Sequence, residues 1–190
     1  QLGLRFSAKG SIHKNDIQVQ ALTSGPLGHE ADEIRVGCRL EFPVGAGELT
    51  ITSSDANVQP KLDYQFLSDS SDKDRLREAV RECAQIFEDA NFSEVIDNRI
   101  APTVEAMESD ELLDDWIAST LSIAGHTCRT CKMGPKSDPL AVVNQFCQVY
   151  GVEGLMVVDA SVMPDITTAN TNATTIMIGE KASDYIIGAN

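Results

Sequence analysis

Two polar residues in the last third of the chain have the side-chain types needed to handle a proton. His126 opens His-Thr-Cys-Arg-Thr-Cys-Lys-Met-Gly at 126–134, and Asn172 lies within Asn-Thr-Asn-Ala-Thr-Thr at 170–175. An imidazole accepts a proton near neutral pH, and an amide orients a neighbouring oxygen by hydrogen bonding. The pair predicts a site for proton handling, against the alternative that His126 is a surface or structural histidine.

The segment between the two residues is expected to position them. Gly-Val-Glu-Gly-Leu-Met-Val-Val-Asp-Ala-Ser-Val-Met-Pro at 151–164 predicts a buried strand that ends in a turn. Asp159 ends its apolar part, at the edge where α/β folds bind ligands. Residues 170–172 are good helix caps before an apolar, helix-like segment. Free N–H groups at such a helix start also suit an anionic ligand, so capping and ligand binding both stay open.

Cys128 and Cys131 have the Cys-x-x-Cys spacing of half a zinc site or of a redox dithiol. A structural zinc site needs four ligands, and the remaining cysteines, at 38, 83 and 147, are isolated in the sequence. A thioredoxin-like pair begins a helix after a strand, whereas this pair follows a predicted helix. We therefore predict packing thiols and no metal site, in a reducing, cytoplasmic environment.

Composition restricts the partners of the chain. Its 190 residues carry a formal net charge of −14, with a pI near 4.5 and no cluster of Lys and Arg. Binding to nucleic acid or to an anionic membrane surface needs such clusters, so neither is expected. There is also no apolar run of about 18 residues, which predicts no membrane span.

The first half of the chain predicts mainly antiparallel strands. Apolar and polar residues alternate over 2–7, 16–22, 34–42 and 48–53. Pro-Val-Gly-Ala-Gly at 43–47 suits a hairpin loop, so 34–53 is predicted to form two antiparallel neighbours. Gly25-Pro-Leu-Gly28 predicts a loop before this pair.

The second half predicts alternating helices and short strands. The helices are predicted at 76–87, after an acidic cluster at 69–74, at 110–123 and at 170–187, and the strands at 146–150 and 155–158. The buried side of the second helix is expected to carry Leu112, Leu113, Trp116, Ile117 and Leu121. The predicted fold class is α+β or α/β, an antiparallel sheet with flanking helices.

Three motifs, in this order and spacing, closely resemble the C-terminal part of the glucose–methanol–choline (GMC) family of flavin-dependent oxidoreductases. They are the segments 126–134, 151–164 and Asn-Thr-Asn-Ala-Thr-Thr-Ile-Met-Ile-Gly-Glu-Lys-Ala-Ser-Asp at 170–184. Gly47–Ser53 and Gln59–Tyr64 also resemble the substrate-domain sheet of that family. The resemblance implies that residues 1–135 are a portion of the substrate-binding domain. It implies that 136–190 is a strand, loop and helix that complete an FAD-binding domain.

The resemblance also implies a role for each site residue. His126 corresponds to the catalytic histidine, which accepts the hydroxyl proton of a small-molecule alcohol while hydride passes to FAD. Asn172 corresponds to the second active-site residue, which orients the substrate oxygen. Asp159, Ala160, Asn172 and Ala173 fall where the family contacts FAD, largely through backbone groups. A helix starting near Asn172 would stabilise negative charge on the reduced flavin.

The sequence departs from the family pattern in several places. Arg129 stands where the family commonly has Gly, Lys132 where it often has Arg, and Thr174 where Pro is frequent. The chain has no Gly-x-Gly-x-x-Gly unit for the ADP half of FAD and begins at Gln1 without a signal-peptide pattern. We therefore expect a C-terminal part of a longer enzyme whose N-terminal FAD-binding region is missing. The alternative is a flavin-free, non-catalytic interaction module that retains the fold.

Overall fold

The computed structural model describes residues 3–22 and 33–188, and the chain divides into two compact units, Gln1–Leu121 and Ser122–Asn190. The division falls after Leu121, whereas the sequence placed a boundary after residue 135. Residues 122–135 therefore belong to the second unit. The assignment of each part to a substrate-binding or FAD-binding domain stays a prediction, and the loop predicted at 25–28 lies outside the described residues.

Over residues 3–22 and 33–121, the first unit contains two small antiparallel sheets. One has the strand order β1 (Gly3–Phe6), β2 (Ile17–Leu22), β3 (Arg35–Leu40), and in the other β4 (Glu48–Thr50) pairs with β5 (Lys61–Asp63). The four strands predicted from alternation are therefore present. The predicted hairpin over 34–53 is wrong, because β3 pairs with β2 and β4 pairs with β5.

The segment between β3 and β4 explains this correction. The N–H groups of Val44 and Gly45 donate to the carboxylate of Asp72 at 2.9 Å, so the segment is bound to the start of a helix and does not close a hairpin. Gly47 lies against β5, where an added Cβ would be 2.2 Å from the Asp63 carbonyl oxygen. Gly47 thus permits the close approach of this segment to the backbone of β5.

Three α-helices follow the strands in the described part of the first unit. They are α1 (Ser70–Phe87), α2 (Val104–Glu108) and α3 (Asp110–Thr120), with a 3₁₀ turn at Ala90–Phe92. Asp69 caps α1 by accepting the Ser71 N–H at 2.8 Å, so the predicted acidic start is confirmed. The second predicted helix ends at Thr120 and not at residue 123. The short α2 was not predicted, because five residues give too little apolar periodicity.

Two apolar clusters form the core of this unit. Ile17 and Val19 of β2 pack with Ala79 and Cys83 of α1, and Leu76 of α1 packs with Leu113 and Ile117 of α3. The buried side predicted for the second helix, now α3, is therefore largely confirmed. Leu112 is the exception, because 48% of it is exposed. Leu113 is fully buried while Leu112 is not, because successive residues of a helix point about 100° apart.

A buried ion-pair network joins distant segments of the first unit. The Arg75 guanidinium donates to Asp16 Oδ2 at 3.0 Å, to Asp72 Oδ1 at 2.6 Å and to the Phe42 carbonyl at 2.8 Å. Asp16 also accepts from Ser11 Oγ at 2.6 Å and from the Ala8 N–H at 3.0 Å. Burial alone raises the pKa of Asp16, but these hydrogen bonds outweigh it and bring the pKa below its usual value.

The second unit consists mostly of hydrogen-bonded loops and one long helix, α4 (Asn172–Gly188), with a 3₁₀ turn at Ala160–Val162. The helix predicted at 170–187 is confirmed. Its apolar core contains Val143, Cys147, Val162 and Ala182. No helix in residues 3–22 and 33–188 is long and apolar enough to cross a membrane.

The strands predicted at 146–150 and 155–158 are wrong. Only isolated bridges occur there, Gln148 with Met156 and Val143 with Val149. Cys147, inside the first of these segments, has a φ of 62°, which breaks the extended backbone that a strand requires. Gly151 and Gly154, with φ values of 77° and 72°, turn the chain between the two segments. The antiparallel sheets and separate helices of the chain support α+β as the fold class, and completion of an FAD-binding domain stays a prediction.

Candidate active site

His126 is held by a side-chain contact with Thr171. The His126 Nδ1 lies 3.1 Å from Thr171 Oγ1, although 45 residues separate them in sequence. Thr171 directly precedes Asn172, the first residue of α4. The structure therefore places the His126 ring against the start of the helix that carries Asn172.

The loop after His126 is fixed to the 3₁₀ turn by backbone hydrogen bonds. The Cys131 N–H donates to the Ser161 carbonyl at 3.0 Å, and the Met133 N–H donates to the Val162 carbonyl at 2.9 Å. Val162 is buried in one cluster with Ala182 of α4. The three motifs recognised in the sequence are consequently adjacent within the second unit.

The start of α4 suits an anionic group. The first internal bond of the helix runs from the Thr175 N–H to the Thr171 carbonyl at 2.9 Å, so the N–H groups of Asn172, Ala173 and Thr174 have no intrahelical acceptor. The first turn has no acidic residue, and Asn172 and Ala173 are exposed. These residues fit the edge of a flavin that becomes negative on reduction, because N–H groups and the positive end of the helix dipole both favour an anion.

The Asp159 side chain is engaged with the 3₁₀ turn that begins at Ala160. The Asp159 carboxylate accepts the Ser161 N–H at 2.8 Å and also the Ser161 hydroxyl, so it caps the 3₁₀ turn. This arrangement fits the predicted contact with FAD through backbone groups, and that contact stays a prediction.

Arg129 adopts a backbone conformation that favours glycine. Its φ is 74°, in the left-handed region, where a Cβ costs about 1–2 kcal/mol. Its guanidinium lies 3.2 Å from the Asp165 carboxylate, and both side chains are exposed. Glycine, which the resemblance leads us to expect here, would carry no such strain. The departure therefore places a strained, ion-paired arginine three residues after His126.

Cys128, one of the two thiols near the site, lacks the lowered pKa of a reactive thiol. Cys128 and Cys131 are both free and half-buried. Burial raises the pKa of Cys128, and the opposing effects of Arg129 and Asp165 leave it above its usual value. A raised pKa leaves little thiolate at neutral pH. Across the described ranges, no group of three or more His, Cys, Asp and Glu side chains is arranged to hold a metal ion.

Thr171 is the site residue that sequence reasoning missed. The sequence suggested only a cap, whereas the structure turns its hydroxyl towards His126 and leaves its carbonyl to accept from Thr175. Its position next to Asn172 was the one signal available, because a contact across 45 residues leaves no local pattern.

Comparison with known proteins places these features in a family. The family model described as GMC oxidoreductase matches residues 43–179. The chain belongs to the GMC oxidoreductase family. This GMC chain is 37% identical over 146 residues to an oxygen-dependent choline dehydrogenase of Photobacterium profundum, covering 77% of the chain and 26% of the relative. It is 40% identical over 142 residues to the Brucella anthropi enzyme of the same name, covering 75% of the chain and 26% of the relative. The chain thus spans about a quarter of the length of these relatives.

Solved structures agree with the family assignment. A fungal aryl-alcohol oxidase superposes with a TM-score of 0.77 at 32% identity, covering 93% of this chain and 28% of its own. The formate oxidase of Aspergillus oryzae gives a TM-score of 0.81 at 22% identity, covering 94% and 32%, and so shows the shared fold. The resemblance predicted from the three motifs is confirmed, and FAD is the cofactor of the family.

Proposed function

We propose that this chain is the C-terminal catalytic part of an FAD-dependent oxidoreductase that converts a small alcohol to a carbonyl compound. The observation that carries the proposal is the 3.1 Å contact of His126 Nδ1 with Thr171, which leaves Nε2 available beside the start of α4. Relatives named for choline and for aryl alcohols support an alcohol donor.

His126 acts as the base in this proposal. Oxidation of an alcohol removes a proton from oxygen and a hydride from carbon. FAD, when bound, supplies the acceptor for that hydride. Nε2 of a neutral His126 ring accepts the hydroxyl proton, while Nδ1 keeps its own proton towards Thr171 Oγ1. General-base assistance of this kind contributes about 10²–10⁴-fold in rate.

Asn172 holds the reacting oxygen in place. Its amide is exposed at the first residue of α4 and donates a hydrogen bond to the substrate oxygen as the proton leaves. An oriented donor restricts the substrate to the geometry that lets proton and hydride depart.

Main-chain groups of Asp159, Ala160 and Ala173 would hold the cofactor beside the substrate. The unpaired N–H groups at the start of α4 favour negative charge there without a positively charged side chain. The 3₁₀ turn is held rigidly, because Asp159 caps it and the His126 loop is bonded to it.

The test is His126→Ala in the FAD-loaded full-length protein, with turnover normalised to bound flavin. We expect kcat to fall at least about a hundredfold with the flavin absorbance retained, because the base is lost while the main-chain cofactor contacts stay. His13→Ala is the matched control, since His13 stacks on Phe42 in the other unit and should leave turnover unchanged.

Two results would contradict the proposal. Unchanged turnover in His126→Ala removes this histidine from the mechanism. A full-length protein that unfolds cooperatively and takes up no FAD would favour the alternative, a non-catalytic interaction module.

A further inference from the structure

We propose that Thr171 is a positioning residue that sets the tautomer of His126, so that Nε2 is the unprotonated nitrogen. The inference rests on the proposed function, because it concerns how the base of that reaction is held. Thr171 does not contact the substrate in this proposal and acts only through the histidine ring.

The surroundings of Thr171 favour this role over ordinary helix capping. Its hydroxyl lies 3.1 Å from His126 Nδ1, and the residue is only 6% exposed. Its carbonyl accepts from both the N–H and the hydroxyl of Thr175, each at 2.9 Å. Thr171 therefore occupies a fixed place at the start of α4, and its hydroxyl is directed to the ring and not to the helix N–H groups.

The chemistry of a base selects one direction for this hydrogen bond. A neutral imidazole carries one proton, on either Nδ1 or Nε2. If the Thr171 hydroxyl donated to Nδ1, the proton would sit on Nε2 and that nitrogen could not accept another. If Nδ1–H donates to Thr171 Oγ1, the Nε2 lone pair is free for the alcohol.

The same hydrogen bond strengthens as the reaction proceeds. When Nε2 takes the hydroxyl proton, the ring becomes a cation and the bond from Nδ1–H to Oγ1 becomes charge-assisted. Thr171 thus interacts more strongly with His126 after proton transfer than before it. An interaction that grows towards the transition state raises kcat and leaves substrate binding little changed.

The experiment compares Thr171→Val and Thr171→Ser in the FAD-loaded full-length protein. Valine keeps the branched shape and loses the hydroxyl, whereas serine keeps the hydroxyl. For Thr171→Val we expect kcat to fall roughly fivefold to tenfold, the difference between a hydrogen bond to an ionised group and a neutral one, with KM unchanged. Thr171→Ser should restore kcat. Ser183→Ala, which also removes one hydroxyl from α4, is the matched control with near-normal kcat, because that hydroxyl donates to the Glu180 carbonyl within the helix.

A second measurement reports the tautomer without turnover. The ¹⁵N NMR signals of the His126 ring, assigned by their absence in His126→Ala, should show the proton on Nδ1 in the unsubstituted protein. In Thr171→Val they should move towards the form protonated on Nε2, and Thr171→Ser should reverse the change.

The outcomes separate this inference from the proposed function. If His126→Ala turns over normally, the proposed function fails and the inference fails with it. If His126→Ala is inactive while Thr171→Val keeps normal kcat and an unchanged tautomer, only the inference fails. A Thr171→Ser protein as slow as Thr171→Val would also overturn it, because packing and not the hydroxyl would then be responsible.

Discussion

Replacing Arg75 by methionine should strongly destabilise the first unit. The substitution keeps an apolar stem and removes the guanidinium that contacts Asp16, Asp72 and the Phe42 carbonyl. Asp16 is fully buried and Asp72 is 4% exposed, so both carboxylates would stay inside the protein without their cation.

The magnitude follows from the groups left behind. Loss of one partner from a buried ion pair costs about 3–5 kcal/mol, because the remaining charge is uncompensated. Asp16 keeps its bonds from Ala8 and Ser11, and Asp72 keeps those from Val44 and Gly45, which holds the loss within that range. Total stabilities are typically about 5–15 kcal/mol, so the loss is a large fraction.

Urea unfolding followed by fluorescence measures the effect. Trp116 is the one tryptophan of the sequence and packs in the cluster of Leu76 and Leu113, so its emission reports on the first unit. Arg81→Met is the matched control on the same helix, because the exposed pair of Arg81 with Asp110 should contribute about 1 kcal/mol or less.

The comparison is decisive in either direction. If Arg75→Met loses no more stability than Arg81→Met, the buried network does not stabilise the unit as argued. If Arg75→Met is too unstable to purify, Arg75→Lys keeps the charge but not the planar fork, and its loss should lie between those of the other two variants.

Three further predictions follow from individual groups. The stability advantage of the natural protein over Asp16→Asn should be complete above about pH 5, should begin to shrink near the unfolded pKa of about 3.9, and should be lost as the pH falls through the lower folded pKa of Asp16. An advantage that does not decrease between about pH 5 and about pH 2, in urea titrations, contradicts this. In thermal unfolding, Arg129→Gly should be about 1 kcal/mol more stable than Arg129→Ala, because relief of about 1–2 kcal/mol of backbone strain exceeds the extra entropy of unfolded glycine. Asp165→Asn removes the exposed ion pair alone and should change stability little. Equal stability of the two Arg129 variants would refute the strain. Iodoacetamide should alkylate Cys128 more slowly at pH 7 than it alkylates a free cysteine, because burial raises the pKa of this thiol. Mass spectrometry measures the labelling rate, and faster labelling would mean that a thiolate is present.

Local patterns in the sequence predicted the helices well. Helical periodicity and the acidic cluster at 69–74 located α1, and the caps at 170–172 located α4 within two residues. Strand positions were also predicted, because alternation is local. Strand pairing was not, since the partner of β3 is β2, and that choice depends on contacts distant in sequence.

In the candidate site, too, residues with a local signal were predicted and contacts between distant residues were not. His126, Asn172 and the 151–164 segment were identified from residue types and from the family resemblance. The strand expected in that segment is reduced to an isolated bridge of Met156 with Gln148, and two glycines of positive φ turn the chain before it. Thr171 and the Asp16–Arg75 pair depend on contacts across 45 and 59 residues, which a single sequence does not encode locally.

Under the proposed function, three consecutive residues at the start of α4 have different roles. Thr171 holds the base, Asn172 orients the substrate oxygen and the Ala173 N–H faces the cofactor. Since α4 is anchored by Ala182 in the Val143–Val162 core, any tilt or slide of the helix displaces all three contacts together. Under the proposed function, repacking α4 would therefore change proton transfer, substrate alignment and the flavin environment together. Substrate preference is better altered through side chains that line the pocket from other segments.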